Sequence, residues 1–404
     1  MQILRKNKAL LRRIDPYALL LLLSAMGTCF CMHLILGTGF AASSPYNTYT
    51  LQAMAWRNGS LHLPHDFPWL ELAIYEGNYY VSFPPLPSVV LLPLTFLFGE
   101  QTPDNLLVQL YGLGACLGVY SALKASGMKR PAAALLSYLI PLSSSALPMF
   151  VNGAVWYQAQ MLALMLTCLS IAAMLKGRPT LSLFVYALSV ACRPFNALYG
   201  PVLYMLFFRR RTPALDFNRA SFRRLIPGTA LGLAVAAAIG VFNAVRFGNP
   251  LEFGHNYLPE FSFQGGIQFS LQHVANNLKT FLLGLPLEKS GASYSFRAFG
   301  YSLLIACPTV TLMLARCLRD IIKKQFSLMK GFLLFTMLLH IFLLLLHRTF
   351  GGYQLGARYV VDVIPYTICY FALSPGGKRW QALCIAALLF SLAFTIAGLS
   401  AVHL

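Results

Sequence analysis

Apolar runs of a dozen or more residues recur along nearly the whole chain, and short basic clusters separate them. That alternation leaves few options. A run such as 16–36 or 380–401 is as long as a bilayer is thick, and a chain with this many of them cannot hide them in one soluble core. Charged residues make up 11% of the chain, against about 25% in an ordinary soluble domain. The mean hydropathy is +0.63. The fold class is therefore an all-α polytopic membrane protein in one domain over 1–404. The first run is too long for a signal-peptide core and lacks a small-residue cleavage site, so it reads as a retained helix.

The charge pattern sets the expected topology. Basic clusters lie at 5–13, 124–130, 176–178, 209–224, 316–330 and 378–379, and together they hold 23 of the 31 Lys and Arg. Placing them all in the cytoplasm satisfies the positive-inside rule. It requires spans near 16–36, 105–123, 131–148, 155–175, 180–192, 195–208, 224–246, 298–316, 329–347, 358–373 and 380–401. That is about 11 transmembrane helices, with a cytoplasmic N-terminus and an external C-terminus. Nine of the 12 acids then fall outside, which points to polar chemistry on the external face. The net charge of +19 is topological in origin, and nucleic acid is not an expected partner. The nine cysteines are scattered, with no metal or disulfide spacing.

Two stretches do not make standard spans. The run 84–99 is too short to cross comfortably and is rich in proline. Crossing there would also force the 124–130 cluster outside, so a re-entrant segment is expected. Residues 180–208 carry Arg193-Pro194 in mid-run, which suits a short hairpin with that pair at its tip. Non-helical backbone at such depth must be buried in protein or line a wet cavity.

Two large external loops remain, 37–104 and 247–297. In the first, residues 49–57 have the spacing of a short amphipathic helix lying along the interface, with Leu51, Met54 and Ala55 on one face. Glu76-Gly77-Asn78 marks a tight turn, and Tyr79 and Tyr80 suit the headgroup level. His62, His65, Asp66 and Glu71 are its other polar candidates; no ligand spacing forces a metal. The second loop offers Glu252, His255, Tyr257 and Glu260. Further on, Arg358 and Asp362 stand at i,i+4 and can pair on one helix face. Such a pair at a span's mouth marks a functional site by default.

Four segments together resemble the GT-C superfamily of multi-spanning glycosyltransferases, which includes the protein O-mannosyltransferases and aminoarabinose transferases. They are "LELAIYEGNYYVSFPPLP", "CRPFNALYGP", "RFGNPLEFGHNY" and "GGYQLGARYVVDVIP", in that order along the chain. The resemblance implies inverting transfer of a sugar from a polyprenyl-phosphate donor to a lipid, glycan or protein acceptor on the external face. A carboxylate would act as base and fixed cations would hold the leaving phosphate. Many relatives carry an acid directly after the first span, but residues 37–52 contain none. The base then falls to Glu71 first and Asp66 second. Arg297, Arg358 and Arg193 are the expected phosphate ligands, and Arg57 a headgroup contact. Tyr79, Tyr80, Glu252, His255, Tyr257 and Asp362 are the expected pocket residues. No cofactor is expected, and membrane lipid is a partner. The location implied is a bacterial plasma membrane. The competing readings are a transporter or flippase for lipid-linked sugars, and a non-catalytic binder of them.

Overall fold

A computed structural model describes residues 15–209, 218–262, 268–290, 293–297, 299–349, 351 and 354–403. The basic cluster at 5–13 and residues 210–217 lie outside the described residues.

The expected runs fold as helices. They are α1 (Pro16–Leu36), α2 (Thr48–Arg57), α3 (Leu86–Phe98), α4 (Asp104–Ala125), α5 (Arg130–Leu142), α6 (Val155–Leu175), α7 (Pro179–Val190) and α8 (Tyr199–Arg209). After these come α9 (Arg219–Phe247), α10 (Val274–Leu283), α11 (Pro308–Ile322), α12 (Leu328–Leu345), α13 (Ile364–Leu373) and α14 (Lys378–His403). Six of them, α1, α4, α6, α9, α12 and α14, are long and apolar enough to cross a membrane. The other expected crossings are shorter or broken. Residues 180–208 form α7 and α8 joined by the 3-10 turn Pro194–Leu198, the hairpin that Arg193-Pro194 predicts. The stretch 358–373 begins as a 3-10 helix, Arg358–Val363, before α13. The count of about 11 therefore stands as an expectation, with six spans of full length among the described residues.

The bundle's centre is the α4–α6 pair, flanked by α1 and α5 on one side and α7 and α9 on the other. Glycine permits the closest approach: a Cβ on Gly118 would stand 2.8 Å from Cys168 Cβ of α6. Apolar side chains gain little from leaving lipid for protein, so such backbone proximity is what packs membrane helices. Gly118→Val is expected to cost about 1–3 kcal/mol by overpacking, measured as a lower midpoint of thermal unfolding in detergent.

At the basic end, Asp15 caps α1 and reaches α4. Its carboxylate accepts from Tyr17 N (3.2 Å), Tyr120 Oη (2.8 Å) and Lys124 Nζ (2.7 Å). The Lys124 bond, reinforced by Tyr120 and the cap, lowers the Asp15 pKa from 3.8 to about 2. A folded-state pKa below the unfolded one contributes stability that is complete above the unfolded value. It is lost as pH falls from near 4 toward 2. Lys124 is 37% exposed, so solvent screens the pair. Asp15→Ala is expected to cost about 1 kcal/mol at neutral pH, and progressively less as pH falls toward and below about 2.

The fold is not purely helical. Two antiparallel hairpins, β1 (Leu72–Tyr75) with β2 (Asn78–Val81) and β3 (Leu287–Ser290) with β4 (Ser293–Phe296), lie in the two large loops. The expected turn at 76–78 is the first hairpin's connection. Glu76 and Gly77 both take positive φ, 49° and 76°, as a two-residue type I′ turn requires. The run after it, α3, is 13 residues long and is stiffened by Pro93.

The helix α2 departs from the interfacial role expected of it. It is buried on several sides, at Thr48, Tyr49, Gln52 and Ala53 among others. Ser88 of α3 donates to Gln52 Oε1 (2.7 Å). Arg57 bonds the Thr95 carbonyl and covers the Phe96 ring at 4.2 Å, clamping α2 to α3.

Candidate active site

The polar start of α4 stitches the first loop to the bundle. Asp104 is fully buried and accepts from Ser44 N (3.3 Å), Thr50 Oγ1 (3.4 Å) and Gln158 Nε2 (2.7 Å). Asn105 donates to Gly39 O (2.8 Å), and Gln109 to Phe40 O (3.0 Å). The acid-free segment after α1 is thus held by an acid of α4, and Tyr46 and Tyr49 are fixed where they line a cavity.

The second loop closes on the first through aromatic packing. Phe247, at the end of α9, meets Tyr75, Tyr80 and Tyr257 with ring centroids 5.2–5.6 Å apart. Arg246 is buried beside it and donates to the Val81 carbonyl (2.8 Å). Tyr79 gives its carbonyl to Leu63 N (2.8 Å), and Tyr80 also meets His62 edge-on. These aromatic residues join the two loops rather than line the cavity.

Between the loops and the α7–α8 hairpin lies a cavity of about 1060 Å³. Glu71, Glu252 and Glu260 reach it, as do Arg193, Arg348, Arg358 and His255. Glu71 is half-buried, and one of its oxygens accepts from Trp156 Nε1 of α6 (3.0 Å). Glu252 is committed to shaping its loop, accepting from Gly254 N (2.6 Å) and Asn256 Nδ2 (2.7 Å). Glu260 sits on the one-turn helix Pro259–Ser262, and its pKa is raised first by burial and then by the charge of Glu71, with Arg348 opposing. The charge of Glu71 thus reaches Glu260, and both acids line the cavity together with Arg348.

The cations are held from several directions. Arg193, at the hairpin tip, donates through Nε (3.1 Å) and Nη2 (2.6 Å) to Asp362 Oδ2. The other Asp362 oxygen accepts from Gln160 Nε2 (2.9 Å). Arg358 is buried. Its backbone N–H bonds Gln354 Oε1, its Nη2 donates to Gly351 O (2.9 Å), and its Nε has no partner among the described residues. Its guanidinium lies 5.2 Å from the Tyr359 ring centroid. His255 and His347 have pKa values lowered to about 4, chiefly by burial. Both imidazoles are neutral near pH 7, so the cavity's positive charge comes from its arginines.

Several expectations change. Arg358 and Asp362 do not pair. Residues 358–363 form a 3-10 helix with three residues per turn, so i and i+4 leave on different faces. Asp362 turns instead to Arg193, 169 positions away. Arg297 lies just beyond β4, pairs with Glu288 (3.2 Å) and is not part of the cavity wall. Asp66 is exposed and also outside that wall. Arg348 and Trp156 received no weight from the sequence, and Glu260 was one polar group among several. Only the folded juxtaposition singles them out. Among the described residues, no three His, Cys, Asp or Glu side chains gather as a metal site.

No protein-family model and no curated protein sequence matches the chain. Solved structures do. ArnT from Cupriavidus metallidurans, in a crystal structure bound to undecaprenyl phosphate, superposes with a TM-score of 0.51 at 16% identity. The alignment covers 94% of this chain and 63% of that one, so the chain spans less than two thirds of ArnT's length. The archaeal oligosaccharyltransferase AglB from Archaeoglobus fulgidus, in complex with an inhibitory peptide and a dolichol-phosphate, aligns more loosely (TM-score 0.45, 13% identity, 96% of this chain and 55% of that one). At such identities the likeness is one of architecture, and what it shows is that this chain shares its fold with ArnT.

Proposed function

We propose that the protein is a GT-C-type glycosyltransferase that moves a sugar from a polyprenyl-phosphate donor to an acceptor on the external face, with inversion. The observation that carries this is the single cavity where Glu71 is gathered with Arg193, Arg348 and Arg358. The ArnT structure of the same fold holds undecaprenyl phosphate, which supports a donor of that class.

Glu71 takes the proton from the acceptor hydroxyl as the oxygen attacks the anomeric carbon. The bond from that carbon to the phosphate oxygen breaks on the opposite side. The lipid phosphate leaves with the electron pair, and its charge grows as the bond lengthens. Guanidinium groups suit that task because their planar donors match phosphate oxygens and remain charged. The Gly351 carbonyl and the Tyr359 ring already fix the Arg358 guanidinium where it lines the cavity. Donors that are oriented beforehand need no reorganisation as charge develops. The Trp156 N–H holds Glu71 in place and leaves its other oxygen for the acceptor.

The test is transfer from a defined polyprenyl-phosphate sugar by purified protein in nanodiscs, with release of polyprenyl phosphate measured. Arg358→Lys is expected to lower the rate about 10- to 100-fold, because an ammonium cannot reproduce a bidentate planar contact. Intact donor together with movement of labelled lipid between leaflets would establish a transporter instead.

A further inference from the structure

An aromatic ledge leads from the rim of the cavity to Glu71. Tyr46 and Trp156 line the wall, their ring centroids 5.2 Å apart and tilted by 46°. Trp69 stands outside the rim, two positions before Glu71 in the chain, and is 58% exposed. Its indole N–H donates to the carbonyl of Pro45 (3.1 Å), the residue before Tyr46. Phe67 braces it edge-on at 5.6 Å. Two indoles thus have their only polar atom already committed, Trp69 to Pro45 and Trp156 to Glu71. Their orientation is fixed, and Trp69 keeps much of its surface open.

We infer that this ledge binds the acceptor, and that the acceptor is a carbohydrate whose pyranose ring stacks on Trp69 and Tyr46 with a hydroxyl directed at Glu71. The inference rests on the transferase reading and narrows its acceptor class. An aromatic face is negative and an aliphatic C–H is slightly positive, so the C–H face of a pyranose is its complement. The sugar's hydroxyls project from its rim, where a carboxylate can accept a proton.

The alternatives fit less well. An interfacial tryptophan anchors a protein by giving its N–H to the headgroup layer, whereas Trp69 gives its own to protein. An extended peptide is bound by adding to a free strand edge. The hairpin by the cavity offers short edges, four residues each and crowded: Leu63 pairs with Tyr79 on the β2 side, and β1 lies beside the turn His255–Tyr257 and the helix Pro259–Ser262.

The test uses the full chain in nanodiscs, with chitobiose as the glycan probe, an unglycosylated peptide as control, and brominated phosphatidylcholine as a lipid-depth quencher. Chitobiose is expected to bind and to alter the fluorescence that disappears in Trp69→Phe. Trp69→Ala should weaken that binding by about 3- to 10-fold, the worth of one stacked ring, and Trp69→Phe should restore most of it. Bromolipid should leave the Trp69 signal unchanged. Quenching by bromolipid overturns the inference in favour of a membrane anchor, and protection of Trp69 by the peptide overturns it in favour of a protein acceptor. Failure of chitobiose to bind, or equal binding by Trp69→Ala, also overturns it. Binding is read without donor turnover. Turnover onto a lipid or peptide acceptor with no chitobiose binding would sink this inference and leave the transferase standing, and chitobiose binding without turnover would sink the transferase and leave only a glycan-binding ledge.

Discussion

Glu71→Gln is expected to lower sugar transfer by about 10²- to 10⁴-fold, the usual worth of a positioned general base. Folding should be little changed. The amide keeps the shape of the side chain, and its oxygen can accept the Trp156 N–H as the carboxylate does. What it cannot do is take a proton from the acceptor. The loss should therefore fall on kcat, with the thermal midpoint within a degree or so of wild type. Glu71→Ala should lose the same activity and also release Trp156. Asp66→Asn should have no effect on rate, because Asp66 is exposed and outside the cavity wall. Glu260→Gln is the informative companion. Its carboxylate is coupled to Glu71 by charge but sits on the second loop. If Glu260→Gln abolishes transfer and Glu71→Gln does not, the base is Glu260 and the assignment here is wrong. Activity of both single variants with loss only in the double would mean that either acid can serve.

The acid absent from residues 37–52 bears on this assignment. That segment folds with its backbone against Asp104, Asn105 and Gln109 of α4, and it presents Tyr46 and Tyr49 to the cavity. An aromatic wall occupies the place where an acid was sought. Glu71 enters the same space from the strand side and is steadied by the indole beside Tyr46.

The helices were legible because each apolar run announces itself locally. The expected 16–36 and 155–175 coincide with α1 and α6. The hairpin at Arg193-Pro194 was legible because topology left it no alternative. The strands β1 and β2 were not, although their turn was: at four residues each they carry too little periodicity to read. The cavity was legible only in part. Glu71, Arg193 and Arg358 lie in segments whose composition is unusual for a bilayer. Arg348 follows α12 in a stretch that reads as an ordinary span end, and Trp156 lies at the start of α6, where an interfacial tryptophan is commonplace. Their meaning depends on which loop closes over them, a contact between residues about a hundred positions apart that no local pattern encodes. Arg297 shows the converse error. Its basic character was plain, but β4 carries it to Glu288 and away from the cavity.

Asp362→Ala is expected to be the most destabilising substitution around the cavity. Asp362 is nearly inaccessible at 3% side-chain exposure, and it holds Arg193, itself 25% exposed, by two charge-assisted bonds. Removing one member of a buried pair strands the other charge, at a cost of about 3–5 kcal/mol. The partial exposure of Arg193 places the expected loss at the lower end, about 3 kcal/mol. It also leaves Gln160 Nε2 only the Arg358 carbonyl and loosens the hairpin tip against the 3-10 turn Arg358–Val363, so Arg358 should shift with it. Stability and function can then be separated by removing both charges. An Arg193→Met, Asp362→Leu double variant should recover most of the lost stability, because an apolar pair of similar volume is often as stable as an ion pair. Transfer should not recover, since the cavity has lost one of its three guanidiniums. If the double variant regains transfer along with stability, Arg193 serves only to seat the hairpin, and the leaving phosphate is held by Arg348 and Arg358 alone.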